Sequence, residues 1–177
     1  MNLKERLVWF LLLYCFDYFK IWTLQVRNLT HAEMTLAKAV FADLIDYTQV
    51  KILSAPFLPW QPIGMFMAPN GTIFVNPENY SLDYGKESLI YRSVFIHKMT
   101  HILQYQQGLS VLWRGGLLQM AYYLTAKYYN PYHYILQKGK AFSAYNIEQQ
   151  GDIARDIFLG KIPNILLQDI PLKALNH

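Results

Sequence analysis

At 177 residues, 53% hydrophobic and 16% charged, with 14 Tyr and 10 Phe, the chain is most simply one domain with a sizeable core, and its composition excludes a disordered polymer. The net charge of +4 comes from scattered Lys and Arg with no basic block, which argues against nucleic acid as a partner. A single cysteine, Cys15, excludes an internal disulfide and a cysteine zinc knuckle, so any metal must be held by His and carboxylates.

The first element in chain order is apolar. "MNLKERLVWFLLLYCF" has a charged start and then an apolar run, Leu7 to Phe16, resembling the core of a signal peptide, but no small-residue cleavage site follows. Asp17 and Lys20 cut the run well short of a membrane-spanning helix. The expectation is a helix or helix pair over about Lys4 to Val26, within a segment 1–28 that packs on the domain or lies at a membrane interface. Residues 29–177 are expected to form the main domain.

In "NLTHAEMTLAKAVF", Thr30 followed three residues later by Glu33 is the signature of a capped helix start. Met34, Ala37, Val40, Phe41 and Leu44 then recur at helical spacing, predicting a helix to about Asp46. A β region follows: "QVKIL" as a strand, the proline-broken loop "SAPFLPWQP", and a hairpin over "GMFMAPNGTIFVNP". Asn70-Gly71 tolerates the positive φ that a two-residue hairpin turn needs. A helix over about Glu87 to Gln107 shows an apolar side of Leu89, Ile90, Val94, Phe95, Ile102 and Leu103, and Gly108 is placed to end it. Gly115 and Gly116 predict a loop, "LLQMAYYLTAKYY" a helix stopped at Asn130-Pro131, and "NIEQQGDIARDIFLG" the last strong helix. The tail, with Pro163 and Pro171, is expected to pack loosely. The fold class is α+β, mostly helical, with a small sheet or hairpin beside the helix of Glu87 to Gln107.

That helix reads "VFIHKMTHILQYQQG". His97 and His101 are four apart, which puts both imidazoles on one face, close enough to share one metal ion. The pair alone is better explained as two ordinary helix histidines, since H-x-x-x-H arises readily by chance. In "YNIEQQGDIARD", Glu148 and Asp152 repeat the four-residue spacing on a second helix. A two-histidine, one-carboxylate site needs a third ligand from another element, and gains from a carboxylate that accepts a histidine's free N–H. Glu148 suits the first role and Asp152 the second; the alternative is the solvated side of an amphipathic helix. The two pairs together favour the site.

"FIHKMTHILQYQQG" with "AYNIEQQGDIARDIF" resembles the small zincin-like metallopeptidases of Gram-negative bacteria, found among type VI secretion and Rhs/VgrG-associated proteins. Their helices read H-E-[ML]-[TA]-H-x-x-Q-Y-Q, followed later by Y-N-x-E-x-Q-x-D. "LTHAEMTLAKAVFADLIDYTQVKI" and "MAPNGTIFVNP" extend the resemblance over about Leu29 to Phe158. The resemblance implies a gluzincin-type zinc site with His97, His101 and Glu148 as metal ligands and Asp152 behind them. It implies hydrolysis of a peptide or amide bond in a peptide, protein or peptidoglycan-type substrate. It also implies a secretion spike or immunity protein as partner, and a bacterial location, cytoplasmic in the producer or exported to the envelope or target cell.

Lys98 departs from that pattern. It occupies the position of the family's general-base Glu, and a protonated lysine accepts no proton from water. Three readings stay open: a pseudoenzyme that binds metal or a partner, an inactivating change in a protein toxic to its producer, and a metal-free site in which Lys98 pairs with Glu148. Tyr145 is a candidate oxyanion stabiliser and His133 lies in the same region. "GMFMAPNGTIFV" is a candidate edge strand for an extended substrate. Gln104, Tyr105 and Gln106 match the family's Q-Y-Q and are read as helix packing, while His31 and His177 carry no signal.

Overall fold

The computed structural model describes residues 24–168, apart from 126, 127 and 129. The expectations for Leu7 to Phe16, Cys15, Pro171 and His177 lie outside the described residues. Among those described, a short strand β1, Val26–Asn28, stands where the end of the first helix was expected.

Thr30 starts the first described helix as its spacing to Glu33 predicts. Its hydroxyl accepts the Glu33 N–H at 3.1 Å, and the Glu33 carboxylate accepts the Thr30 N–H at 2.8 Å. The helix, α1, runs His31–Phe41 and buries Ala37, Val40 and Phe41. It stops short of Asp46 because Ala42 turns out of the helix at φ 47°, its N–H closing on the Lys38 carbonyl. Asp46 instead caps a 3-10 turn over Tyr47–Gln49.

Three further strands, β2 (Lys51–Leu53), β3 (Phe66–Met67) and β4 (Thr72–Val75), complete a mixed sheet in the order β1-β2-β4-β3. β1 and β3 run antiparallel to their neighbours, while β2 and β4 are parallel, with Ile52 opposite Ile73. The expected hairpin is β3–β4, but only Gly71 of the Asn70-Gly71 turn has positive φ, 82°, so its turn is not the doubly left-handed kind.

The central helix α2, Leu89–Gln106, is capped by Ser88 and followed by Gly108 at φ 81°. It is buried on more than one side: Phe95, Ile96, Met99, Ile102 and Leu103 enter the core together with His97, Thr100, His101 and Gln104. Leu89 and Ile90, expected on its apolar side, are exposed at 52% and 74%. One side of α2 packs an aromatic cluster of Phe66, Tyr84, Tyr91 and Phe95.

The next helix, α3, spans Val111–Leu124 and passes straight through Gly115 and Gly116, where a loop was expected. Glycine costs a helix interior roughly 1 kcal/mol, and the helix runs through both glycines despite that penalty. Helix α4, Ile147–Phe158, opens with a capping box between Asn146 and Gln149. The short α5, Ile165–Gln168, buries Leu166, and Asn164 donates to the Val40 carbonyl at 2.8 Å, so this part of the tail is docked rather than loose. The architecture is α+β, with five helices and the small mixed sheet among the described residues.

Candidate metal centre

His97 and His101 rise one turn apart from the face of α2 that packs on α4, with ring centroids 5.0 Å apart. α4 approaches this closely because residue 151 is glycine. A Cβ there would lie 2.6 Å from His97 Cε1, inside any tolerable contact. One turn away, Glu148 points its carboxylate at both rings, with Oε2 3.4 Å from His97 Nε2 and Oε1 3.7 Å from His101 Nε2. The donor atoms of His97, His101 and Glu148 lie within 4.8 Å of one another, so this buried group could hold a metal ion.

The other face of each ring is occupied. His97 Nδ1 lies 3.0 Å from Asp152 Oδ1, and Arg155 holds the same oxygen at 2.8 Å. His101 Nδ1 lies 2.9 Å from Gln104 Oε1. The proton position on His101 follows from a chain of amides. Gln150 Nε2 donates to the Tyr145 carbonyl at 2.8 Å, and Gln104 Nε2 donates to the Ile147 carbonyl at 3.0 Å and to Gln150 Oε1 at 2.9 Å. A backbone carbonyl only accepts, so both amides are oriented, Gln104 Oε1 is an acceptor, and His101 Nδ1 must donate to it. In the neutral ring, Nε2 therefore carries a lone pair aimed at Glu148.

The charges agree with that assignment. Burial pushes the His101 pKa down to about 3, helped by the positive charge of Lys98, so the ring is neutral at physiological pH. Burial pushes Glu148 up, but the adjacent His97 and His101 rings and the positive charge of Lys98 hold it down to about 2. An ionised carboxylate thus faces an imidazole lone pair, an arrangement of acceptors that a cation would relieve.

Lys98 stands partly buried beside this group. Desolvation pushes its pKa down, while Glu148 and Asp152 push it up. Among the described residues its ammonium makes no ion pair within 4.0 Å; Glu148 is engaged by the histidines instead. A direct Lys98–Glu148 tie between the helices is therefore not formed.

The chain is 44% identical over 136 residues to the type VI secretion system spike protein VgrG2b of Pseudomonas aeruginosa, covering 76% of this chain and 13% of that one. Among solved structures, the effector domain of VgrG2b superposes with a TM-score of 0.70 at 44% identity, over 76% of this chain and 74% of that domain. The chain belongs to the family of the VgrG2b effector domain. No protein-family model matches it. This VgrG2b-type domain therefore spans only a small part of the length of the spike protein it matches.

The remaining residues fall in three places. Within the VgrG2b-type fold, Tyr145 is buried near the start of α4, but its hydroxyl accepts from Gln137 N at 3.0 Å and donates to the Ile135 carbonyl at 3.3 Å. His133 is exposed, and its carbonyl accepts from Gln149. Tyr132 stands near Glu148 and Asp152, whose charges add to the burial that pushes its pKa up. Sequence reasoning passed over Tyr132, as it did the positioning of His101 by Gln104 and the close approach at Gly151. The signal for Gly151 was present, because a glycine inside a strongly patterned helix marks a place where something comes close.

Proposed function

We propose that the chain is a type VI secretion effector domain of the VgrG2b kind, with a zincin-like, gluzincin-type site in which His97, His101 and Glu148 hold zinc. The observation that carries this reading is the convergence of two imidazole Nε2 atoms on one ionised carboxylate, with both Nδ1 atoms committed elsewhere. The donor set of two nitrogens and one carboxylate oxygen suits zinc, with a further position left for water or substrate. A bound zinc would polarise an amide carbonyl and acidify a water molecule. Asp152 and Gln104 orient the histidines and raise their basicity. Lys98 stands where a general base should take the proton, so hydrolysis of a peptide, protein or peptidoglycan-type amide is impaired by roughly 10²–10⁴-fold. Carriage on a secretion spike is supported by the relative's being a spike protein, and action in the envelope or in a target cell is part of the same proposal.

Elemental analysis of protein purified without chelator tests the site. About one zinc per chain is expected, with none in His97→Ala. Absence of zinc from both proteins, even after zinc is added back, sinks the proposal. Lys98→Glu then tests the chemistry, with an expected gain of about 10²–10⁴-fold in hydrolysis, or the appearance of toxicity.

A second reading has its own support in Lys98. If Lys98→Glu binds zinc yet neither hydrolyses nor harms cells, the cleft serves as a binding module for a spike or immunity protein.

A further inference from the structure

α3 has its apolar side facing outward. Trp113, Leu117, Met120 and Leu124 recur at helical spacing along one stripe, and they are 75%, 61%, 56% and 79% exposed. The opposite side of the helix carries Val111, the one buried residue of α3, and Gly115, whose Cβ position lies 3.8 Å from Glu148 Oε1. In the segment after α3, Tyr128, Ile135 and Leu136 are also exposed. That segment leans on α3 through Tyr132, whose ring centroid is 6.3 Å from that of Tyr122. No helix among the described residues is long and apolar enough to cross a membrane.

Charge identifies what covers this face. Between Glu87 and Glu148 the sequence contains no Asp or Glu, whereas Arg114 and Lys138 are exposed on α3 and the segment after it. Two copies meeting face to face would bring these cations together, and neither α3 nor the segment after it carries an acid to answer them. A flat surface rich in phosphate answers them directly. Trp and Tyr at the border of an aliphatic stripe are the side chains that partition to the boundary between headgroups and acyl chains.

We propose that α3 and the segment after it form a docking face for an anionic phospholipid bilayer, with α3 lying flat on the membrane. The stripe sinks into the headgroup boundary while Arg114 and Lys138 meet phosphate. The His–His–Glu group then sits behind α3, about one helix diameter, roughly 10 Å, from the membrane surface. This docking does not depend on whether that group is catalytic.

Co-sedimentation of the full chain with vesicles tests it, using phosphatidylcholine alone and phosphatidylcholine mixed with phosphatidylglycerol. The full chain should bind the mixed vesicles, and salt should weaken that binding. Leu117→Ser with Leu124→Ser should lower partitioning at least about tenfold while the circular dichroism spectrum stays unchanged. Arg114→Glu with Lys138→Glu should also weaken it, by a change confined to exposed positions. Failure of the full chain to bind either vesicle overturns the proposal. So does unchanged binding of the α3 variant alongside loss in Leu11→Ser with Leu12→Ser, which would assign the contact to the N-terminal apolar run. A dimer in sedimentation velocity that the α3 variant dissolves, without vesicle binding, would make the face a self-association surface instead.

Discussion

Gln104 is the side chain that decides the state of His101. Its amide is oriented by the Ile147 carbonyl and by Gln150, which leaves only its oxygen to meet the ring. Replacing Gln104 with Leu keeps the volume and removes the acceptor, so zinc affinity should fall by roughly 10- to 100-fold in a chelator competition titration. Acid should act on the same cluster. The folded-state pKa of His101 is about 3, below its ordinary 6.5, and that of Glu148 is about 2, below its ordinary 4.5. Between each pair of values the unfolded chain binds the extra proton, so stability rises with pH there. The contribution is complete above 6.5 and is lost as pH falls toward 3 for His101 and toward 2 for Glu148. The urea midpoint of metal-free protein should therefore drop clearly between pH 7 and about pH 4; a flat profile would contradict the neutral assignment of His101. Helical spacing puts His97 with His101, and Glu148 with Asp152, on one face each, and only the two pairs together mark these residues in the sequence. Gln104 was not legible there, because its role depends on carbonyls of a helix far away in the chain.

Elements in this fold are joined by polar as well as apolar contacts, and Glu33 is the main polar joint. Fully buried, it accepts from Arg27 on β1 at 2.7 and 2.8 Å, from Tyr84 N at 2.8 Å, and from the Thr30 N–H that starts α1. Arg27 reaches on to the Ser81 carbonyl at 2.8 Å. One carboxylate thus ties a strand, a helix start and the loop before α2. Glu33→Ala leaves a guanidinium and two backbone N–H groups without their acceptor, and should cost about 3–5 kcal/mol in chemical denaturation. The Thr30–Glu33 spacing announced the helix start in the sequence, but the ion pair was hidden because β1 was read as the end of a helix. α3 shows the converse error. Its Gly115-Gly116 pair predicts a loop from local propensity, yet the helix runs through both glycines.

At the scale of the molecule, β1 joins the sheet from the N-terminal side of the boundary expected at residue 28. A chain trimmed to begin at residue 24 keeps β1 and Arg27. One beginning at residue 29 lacks β1 and Arg27, and should unfold at lower urea or fail to stay in solution. Equal midpoints for the two would show that β1 is not part of the cooperative unit. Local patterns determined the α+β class, the start of α1 at Thr30, the β3–β4 hairpin and the two pairs of candidate ligands, because capping, turn chemistry and helical spacing act within a few residues. Tertiary structure alone decided that Glu148 faces both histidines, that Gly151 lets α4 come close, that Lys98 does not pair with Glu148, and that the apolar stripe of α3 faces outward. Each of these depends on which helix lies across from which, and that is settled by packing between segments tens of residues apart.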